Sequence, residues 1–303
     1  MIRNRSWTEL LTTIPILSAR PAAEWRATPL PGLTNVNWRL TAGDQDLVLR
    51  IPGASSERYL SRRQEMHNAA IAAALGVAPP LLHADPATGV TVQAFIGDAR
   101  ALGEADFAEP RIAFEIGTLL ARLHRSGRSF EGTMAPFPII DTYLGLAADD
   151  RLRRLRARAE PIRAVLEAHP LRMVPSHVDP NPANFLLRAD GTLLLIDWEF
   201  SAMCEPAWDL AAVMIEGVMP PEAVDALHRG YGRPPDAADA SRLWLMRAAL
   251  HLVAGSWTYA EIAGGNQAAG LPALLERCLT NLERMLDDRA LTLHLSRAGA
   301  RSG

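Results

Sequence analysis

Three polar residues, Asp179, Asn184 and Asp197, flank a short hairpin pattern in the middle of the chain. The runs 185–187 and 193–196 are apolar, and the Asp-Gly pair between them is a strong signal for a hairpin turn. Because paired strands lie about 5 Å apart, we expect Asn184 and Asp197 to be neighbours at the open end of the hairpin. The short loop before Asn184 is stiffened by two prolines and brings Asp179 to the same end.

These three side chains offer the chemistry of a metal site and of a base. Mg²⁺ prefers oxygen ligands such as carboxylates and amides, and a carboxylate can accept the proton of a hydroxyl group. Each residue alone would suit a turn or a helix cap equally well. Their order, with His177 just before Asp179 and Ile196 before Asp197, fits a kinase catalytic loop followed by a metal-binding aspartate. The combined pattern therefore favours phosphoryl transfer to a hydroxyl over turn chemistry.

The elements around this hairpin divide into a β-rich first third and a helical remainder. Residues 47–51 and 90–95 predict strands, and a helix is predicted over 56–75 between them. The sequence thus predicts an α+β fold with two lobes, the first of which resembles a small nucleotide-binding lobe. The small β-rich N-terminal lobe is expected over 1–97, the larger, mainly helical lobe over 98–296, and a disordered tail over 297–303. Helices of the larger lobe are predicted over 112–126, 151–163, 208–217, 221–231, 241–262 and 269–287.

Composition narrows the class of protein. The 303 residues are 49% hydrophobic with a formal net charge of −3, which argues against a nucleic-acid-binding surface. No apolar run reaches the roughly 18 residues of a membrane span, and Cys204 and Cys278 stand in no metal-binding spacing, so we expect a cytoplasmic protein. All 31 basic residues are arginine, so any role usually given to lysine must fall to arginine. The sequence leaves the oligomeric state open.

Several motifs together resemble one family. The stretches 177–185, 196–200 and 205–210 read His-Val-Asp-Pro-Asn-Pro-Ala-Asn-Phe, Ile-Asp-Trp-Glu-Phe and Glu-Pro-Ala-Trp-Asp-Leu. They resemble the bacterial choline/ethanolamine kinases, which belong to the aminoglycoside-phosphotransferase group and have a fold similar to that of protein kinases. The segments 32–37 and 48–53 are similar to the small lobe of that family.

The resemblance implies roles for the central residues. Asp179 would be the catalytic base facing the acceptor hydroxyl, and Asn184 and Asp197 would hold Mg²⁺ bridging the phosphates of ATP. Asp209 would hold the backbone of the catalytic loop, and His177 is expected to pack and hydrogen-bond rather than to carry protons. ATP and Mg²⁺ are therefore the expected cosubstrate and cofactor.

The resemblance also implies a nucleotide site in the small lobe. Arg50 stands where protein kinases carry a lysine, and choline kinases accept arginine there. Glu65 is expected to pair with Arg50, although Glu57 on the same predicted helix is a rival. The remaining ATP-binding residues are expected in the turn before the first motif strand and in a hinge that reads adenine: Gly32, Thr34, Asn35 and Asn37, then Ala94 and Ile96.

The acceptor is expected to be a small cationic alcohol. Carboxylates and aromatic faces recognise an ammonium group, and Glu199, Glu216 and Trp257 match positions of that kind in choline kinases. Ala254 stands where some choline kinases carry a second tryptophan of the choline cage. Trp244 lies roughly 140° around the same predicted helix from Trp257, so it is expected to be a core residue.

Three other functions remain open beside a choline or ethanolamine kinase. An aminoglycoside, thiamine or another cationic alcohol would change only the acceptor, although the isolated acids of the C-terminal half do not favour a polycationic aminoglycoside. A protein kinase is disfavoured because no Ala-Pro-Glu element follows Asp197. A non-catalytic nucleotide-binding module belongs to a different class, and the complete set of base and metal residues argues against it.

Overall fold

The computed structural model describes residues 7–32, 35–53, 60–216, 219–232 and 234–300. The predicted ATP-binding residue Thr34 and the rival acid Glu57 lie outside these ranges, as does the end of the predicted tail, 301–303. Glu216 lies at the end of a described helix, but its side chain is outside the description as well.

The first lobe is a five-stranded antiparallel sheet with helices against it. The short helices α1 (Trp7–Thr13) and α2 (Pro15–Ser18) precede the sheet, and α3 (Arg62–Ala74) is inserted between its third and fourth strands. In space the strands follow the order β1-β2-β3-β5-β4. Their bounds are β1 Arg26–Leu30, β2 Asn35–Ala42, β3 Gln45–Pro52, β4 Leu81–Ala84 and β5 Thr91–Ala94.

The alternation of side chains in β3 decides which residue points away from the core of this lobe. Leu47 and Leu49 are buried in a cluster that also contains Leu17 and Leu40, with Ile51 packed against it. Because successive strand residues face opposite sides, Arg50 points to the other face. The predicted strands and the outward direction of Arg50 are therefore confirmed.

The second lobe is mainly helical and surrounds the predicted hairpin. Phe185–Arg188 (β8) and Leu193–Leu195 (β9) form the hairpin, and Ala99–Ala101 (β6) pairs with its first strand. A two-stranded ladder joins Val174–Ser176 (β7) to Ala202–Cys204 (β10). The helices are α4 Pro110–His124, α5 Pro136–Leu146, α6 Asp150–Arg158, α7 Glu160–Ala168, α8 Pro206–Glu216, α9 Pro221–Tyr231, α10 Ala237–Ala263, α11 Leu271–Asp287 and α12 Leu291–Gly299.

Two expectations need correction. The disordered tail predicted from Arg297 is wrong for 297–299, because α12 continues to Gly299 and buries Ala298 in the core. The arginine-rich helix predicted over 151–163 is two helices, α6 and α7, since Pro161 stands in the first turn of α7 and cannot continue α6. The lobe boundary between residues 97 and 98 stays a prediction. In the ranges that the structure describes, no helix has the length and apolar character that crossing a membrane requires.

Two glycines set the distance between α4 and α9. A Cβ atom on Gly117 would lie 2.1 Å from the carbonyl oxygen of Leu227, and one on Gly230 would lie 2.0 Å from that of Phe114. Neither carbonyl can move without moving its helix backbone. The close approach of these helices therefore requires glycine at both positions, and it places the end of α4, with His124, beside Tyr231.

We expect Gly117→Ala to lower the free energy of unfolding by at least about 2 kcal/mol, because the new methyl group overpacks a backbone contact. Gly145 is the matched control: it also lies in a helix, α5, but nothing stands within 4 Å of its Cβ position. Gly145→Ala should raise the free energy of unfolding by about 0.5–1 kcal/mol through helix propensity. Urea denaturation of both variants measures the difference. Equal effects in the two variants would contradict the packing argument.

Candidate active site

The loop between β7 and β8 is held from beneath by the carboxylate of Asp209. Asp209 is fully buried and accepts hydrogen bonds of 2.8 Å from the backbone N–H groups of both His177 and Val178. Val178 has a φ of +74°, a left-handed conformation that is costly for a β-branched residue. Trp208 helps to hold it, since its indole N–H donates to the Val178 carbonyl at 2.8 Å. These contacts match the role predicted for Asp209.

His124 is the third partner of this carboxylate. Its Nε2 lies 3.1 Å from Asp209 Oδ2, and its Nδ1 lies 2.9 Å from the hydroxyl of Tyr231. Burial alone would raise the pKa of Asp209, but the hydrogen bond and charge of His124, with the other groups around it, hold that pKa below its usual value. Sequence reasoning missed His124. The only available signal was its place at the end of a strongly amphipathic helix.

His177 is positioned as a packing residue. Its Nε2 donates to the carbonyl of Ile196 at 2.9 Å, and its ring meets that of Trp198 edge-on at 4.7 Å. Complete burial lowers the pKa of His177, which disfavours its charged form. A neutral, enclosed imidazole joined to the hairpin fits the structural role predicted for it.

Asp179 and Asn184 meet at the end of the loop, as the hairpin pattern requires. The Asn184 amide donates to the Asp179 carbonyl at 2.9 Å and approaches its Oδ2 at 3.3 Å. Asn181 also donates to Asp179 Oδ2, at 3.1 Å. The Ile196 N–H donates to the Asn184 carbonyl at 2.9 Å, which places Asn184 beside the segment that leads into Asp197. The hairpin thus brings the base candidate and both metal-ligand candidates to one end.

Arg50 joins the two lobes at this point. Its guanidinium contacts Glu65 of α3 and reaches across to Asp197 at 2.9 Å and Glu199 at 2.7 Å. Glu65 is therefore an ion-pair partner of Arg50, as predicted. Arg62, which sequence reasoning missed, lies 2.8 Å from Glu65 and 3.5 Å from Glu199. Its position three residues before Glu65 on α3 was an available signal, because side chains at that spacing are neighbours.

Three carboxylates converge around this guanidinium. Oxygen atoms of Glu65, Asp197 and Glu199 all lie within 4.8 Å of one another, a spacing that could hold a metal ion. Burial raises the pKa values of Asp197 and Glu199, and the charge of Asp197 raises that of Glu199 further. Burial alone would lower the pKa of Arg50, but these three acids raise it above the usual value for arginine. Buried oxygen ligands with excess negative charge are the kind of set that fits Mg²⁺.

Glu199 is placed differently from its predicted use. We expected it in the acceptor pocket, but it faces Arg50 and accepts a hydrogen bond from the Asn35 amide at 3.2 Å. It is nearly fully buried in this contact. The acceptor role of Glu199 stays a prediction, and its observed surroundings are those of the nucleotide and metal end.

The turn before β2 is shaped by Gly32. A Cβ atom there would lie 2.4 Å from the Asn35 carbonyl oxygen, so no other residue fits without moving the backbone. The Asn37 amide donates to the Pro31 carbonyl at 3.1 Å and closes the turn. Asn35 and Asn37 thus organise the turn through protein contacts, and their predicted phosphate contacts stay predictions.

The predicted hinge residues follow β5. The Ala94 N–H donates to the Pro80 carbonyl at 3.0 Å, and the Ile96 carbonyl accepts from the Ala99 N–H at 3.2 Å. The segment is thus fixed between the two lobes, where a hinge would lie. That Ala94 and Ile96 read adenine stays a prediction.

The residues predicted to bind the acceptor lie on α8 and α10. Trp257 is half-buried on α10, and Glu216 ends α8, which packs against α10. Trp244 stacks on His294 of α12 at 4.5 Å and packs against the core, as predicted for it. The acceptor roles of Glu216 and Trp257 stay predictions.

Comparison with known proteins identifies relatives with the same architecture. Residues 26–244 match a family model described as the phosphotransferase enzyme family. "Protein LicA" of Haemophilus influenzae is 31% identical over 210 residues, which cover 66% of this chain and 60% of that protein.

Solved structures support the same assignment of fold. A choline/ethanolamine kinase family protein from Mesorhizobium loti has a TM-score of 0.83 and 30% identity, covering 97% of this chain and 98% of that one. The choline kinase LicA from Streptococcus pneumoniae has a TM-score of 0.79 and 22% identity, covering 92% and 100%. These likenesses confirm the predicted kinase-like α+β fold.

The depressed pKa of Asp209 predicts a pH dependence of stability. A carboxylate whose folded pKa lies below the unfolded value of about 4 contributes stability above pH 4, and that contribution is lost as the pH falls through the folded pKa. Asp209→Asn should therefore lower the free energy of unfolding by about 3 kcal/mol at pH 7, since it disturbs a buried charge and its donors. The gap to wild type should narrow as the pH falls below about 4.

Urea denaturation between pH 7 and pH 3 measures this gap. Asp225→Asn is the control, because Asp225 is an exposed aspartate on α9. A gap that stays constant over the whole pH range would show that the charge of Asp209 is not what holds the loop.

Proposed function

The chain belongs to the phosphotransferase enzyme family, and from that premise we propose that it is an ATP- and Mg²⁺-dependent kinase for small amino alcohols. Choline and ethanolamine are the first acceptors in this proposal. The reaction transfers the γ-phosphoryl group of ATP to the acceptor hydroxyl and leaves ADP. The observation that carries it is the convergence of Asp179, Asn184 and Asp197 at one end of the hairpin, facing Arg50.

The acidic end of the site is where the metal and the phosphates belong. Asp197 and Asn184 would hold Mg²⁺, and Glu199 and Glu65 lie close enough to Asp197 to take part. When bound, the ion supplies charge neutralisation for the phosphate oxygens. Arg50 offers the same phosphates a permanently charged guanidinium held in place by the surrounding acids.

Asp179 is the proposed base. Its carboxylate accepts hydrogen bonds from the amides of Asn181 and Asn184, which fix its direction. In phosphoryl transfer such a group orients the acceptor hydroxyl and accepts its proton. The Gly32 turn and the segment from Ala94 to Ile96 would enclose the phosphates and the adenine, respectively.

The choice of acceptor rests on resemblance and on α10. The Mesorhizobium loti structure of 30% identity is described as a choline/ethanolamine kinase family protein and covers nearly the whole chain. Trp257 offers an aromatic face to an ammonium group, and Glu216 would offer a charge. Aminoglycosides and thiamine are cationic alcohols that the same machinery could serve, so they belong in the first assay.

An acceptor panel tests the proposal directly. Purified protein with ATP and Mg²⁺ should release ADP in the presence of choline or ethanolamine, well above the rate without acceptor. Thiamine, an aminoglycoside and a set of other amino alcohols complete the panel. If no acceptor raises ADP release while ATP still raises the melting temperature, the protein is a nucleotide-binding module and the kinase proposal fails.

Asp179→Asn tests the base. We expect kcat to fall by about 10²–10⁴-fold, because a positioned general base contributes that much, while the Kd for ATP stays within about twofold. Asp190→Asn is the matched control in the turn of the same hairpin, where Asp190 bonds only to its own turn at Thr192 and faces Arg188. It should leave kcat unchanged. A wild-type kcat in Asp179→Asn would remove Asp179 as the base.

A further inference from the structure

Helix α10 carries two basic side chains one turn apart on its inner face. Arg247 and His251 are separated by four residues, so they lie on the same side of the helix. Both are surrounded by apolar neighbours of α10, and His251 is only 6% exposed. Basic groups in such a position are expected to find acidic partners, since an isolated buried cation is costly.

A third cation comes from α11. A Cβ atom on Gly255 would lie 2.8 Å from Leu279 Cδ2 and 3.7 Å from Cys278 Cβ, so α10 and α11 are in close contact at this turn. Arg277 precedes Cys278, and its side chain is 51% exposed. Burial, with the charges of Arg247 and then of Arg277, lowers the pKa of His251 to about 4.

The buried nitrogen atoms of this cluster have no hydrogen-bond acceptor among the residues that the structure describes. They are Nε of Arg247 and Nδ1 of His251. Burial lowers the pKa of Arg247 and no acid opposes that change. Arg277 has one acidic neighbour, Glu104, at 3.9 Å.

Other enclosed arginines of this protein have carboxylate partners. Arg50 contacts Glu65, Asp197 and Glu199, Arg62 contacts Glu65, and Arg242 forms two hydrogen bonds of 2.6 and 2.8 Å with Glu205. The fold thus supplies carboxylates wherever it encloses these guanidinium groups. Arg247, which is half-buried, has no such carboxylate among the residues that the structure describes.

We propose that Arg247, His251 and Arg277 form a binding site for an anionic group, a carboxylate or a phosphate, at the contact of α10 and α11. The guanidinium groups offer paired N–H donors that match the oxygens of either anion. The neutral imidazole adds one N–H donor, and it can take up a proton when the anion binds. Arg277, half exposed, provides the entry from solvent.

The site has a consequence for the acceptor. The two guanidinium groups repel an ammonium group, so they do not suit the charged end of choline. They suit either a free anion or an anionic substituent on the acceptor alcohol itself. The second source rests on the proposed function, whereas the first does not.

Direct binding tests the site. Isothermal titration of wild-type protein with inorganic phosphate and with acetate is carried out with a saturating non-hydrolysable ATP analogue and Mg²⁺, so that the nucleotide site is filled. We expect binding of at least one anion, weakened at least about tenfold by Arg247→Met and by Arg277→Met, as for the loss of a charge-assisted hydrogen bond. Arg277→Met keeps the test valid if Arg247→Met fails to fold, because Arg277 is half exposed.

Arg153→Met is the control for loss of one positive charge, since Arg153 lies on the exposed face of α6 and its side chain is 62% exposed. It should bind the anion as wild type does. The NMR signal of the His251 imidazole, assigned by its absence in His251→Asn, reports the pKa of this residue directly. Anion binding should raise the pKa of His251 by more than one unit in wild type and not in Arg277→Met. The absence of binding, or binding that all three arginine variants share with wild type, overturns the proposal.

Steady-state kinetics distinguish a free anion from an anionic substituent on the acceptor. If the anion is part of the acceptor, an amino alcohol that carries a carboxylate, such as serine or homoserine, should show a KM at least about tenfold higher in Arg277→Met with kcat unchanged. The KM for ethanolamine should not move. If the site takes a free anion, phosphate or acetate binds as above and neither KM changes. Anion binding in a protein that phosphorylates nothing in the panel would leave this site standing and remove only the kinase proposal.

Discussion

The guanidinium of Arg50 is the contact on which the geometry of the site depends. It lies on the outward face of β3 and joins three carboxylates from two separate elements, Glu65 on α3 and the pair Asp197 and Glu199 after the hairpin. Without a cation between them, these acids would repel one another in a buried place where charge is weakly screened. Because arginine remains charged even when enclosed, it can hold this arrangement at any physiological pH. Arg50 therefore fixes both the approach of the lobes and the place where phosphate charge can be received.

The catalytic loop depends on the opposite arrangement, one carboxylate among several donors. Asp209 accepts from two consecutive backbone N–H groups and faces His124, which ties α8, α4 and the loop together. Strong support is needed at this end of the hairpin, because Val178 in the loop and Asp197 after the second strand both adopt left-handed backbone conformations, with φ of +74° and +64°. Such conformations persist only where the surroundings over-determine them. The strain redirects the chain after His177 and after Ile196, and both turns bring a carboxylate to the same end of the hairpin.

The sequence was informative where function depends on local spacing. The hairpin follows from turn chemistry, the outward direction of Arg50 from strand alternation, and the pairing of Arg50 with Glu65 from the family resemblance. The structure confirms all three. The sequence was uninformative where contacts join distant elements. His124 and Asp209 are 85 residues apart, and no periodicity connects them. Glu199 illustrates a third case. The sequence identified it as a site residue after Asp197, but its contacts with Arg50 and Asn35 depend on how the two lobes pack and could not be predicted. The break between α6 and α7 was readable from Pro161, and helical spacing on both sides concealed it.

A chain whose only cationic side chains besides histidine are arginines must balance each enclosed one with an acid or with a ligand. Lysine could lose its proton on burial, whereas arginine keeps its charge, so an unbalanced guanidinium remains a lasting cost to the fold. Arg50, Arg62 and Arg242 meet that requirement within the protein. Arg247 does not among the described residues, and burial, together with the charges of Arg247 and Arg277, lowers the pKa of the neighbouring His251. The protein thus carries two opposite imbalances of charge: excess acid around Arg50, and excess base on α10 and α11. In the proposed anion site, the bound anion supplies Arg247 with the balancing charge that Arg50, Arg62 and Arg242 obtain from carboxylates of the protein.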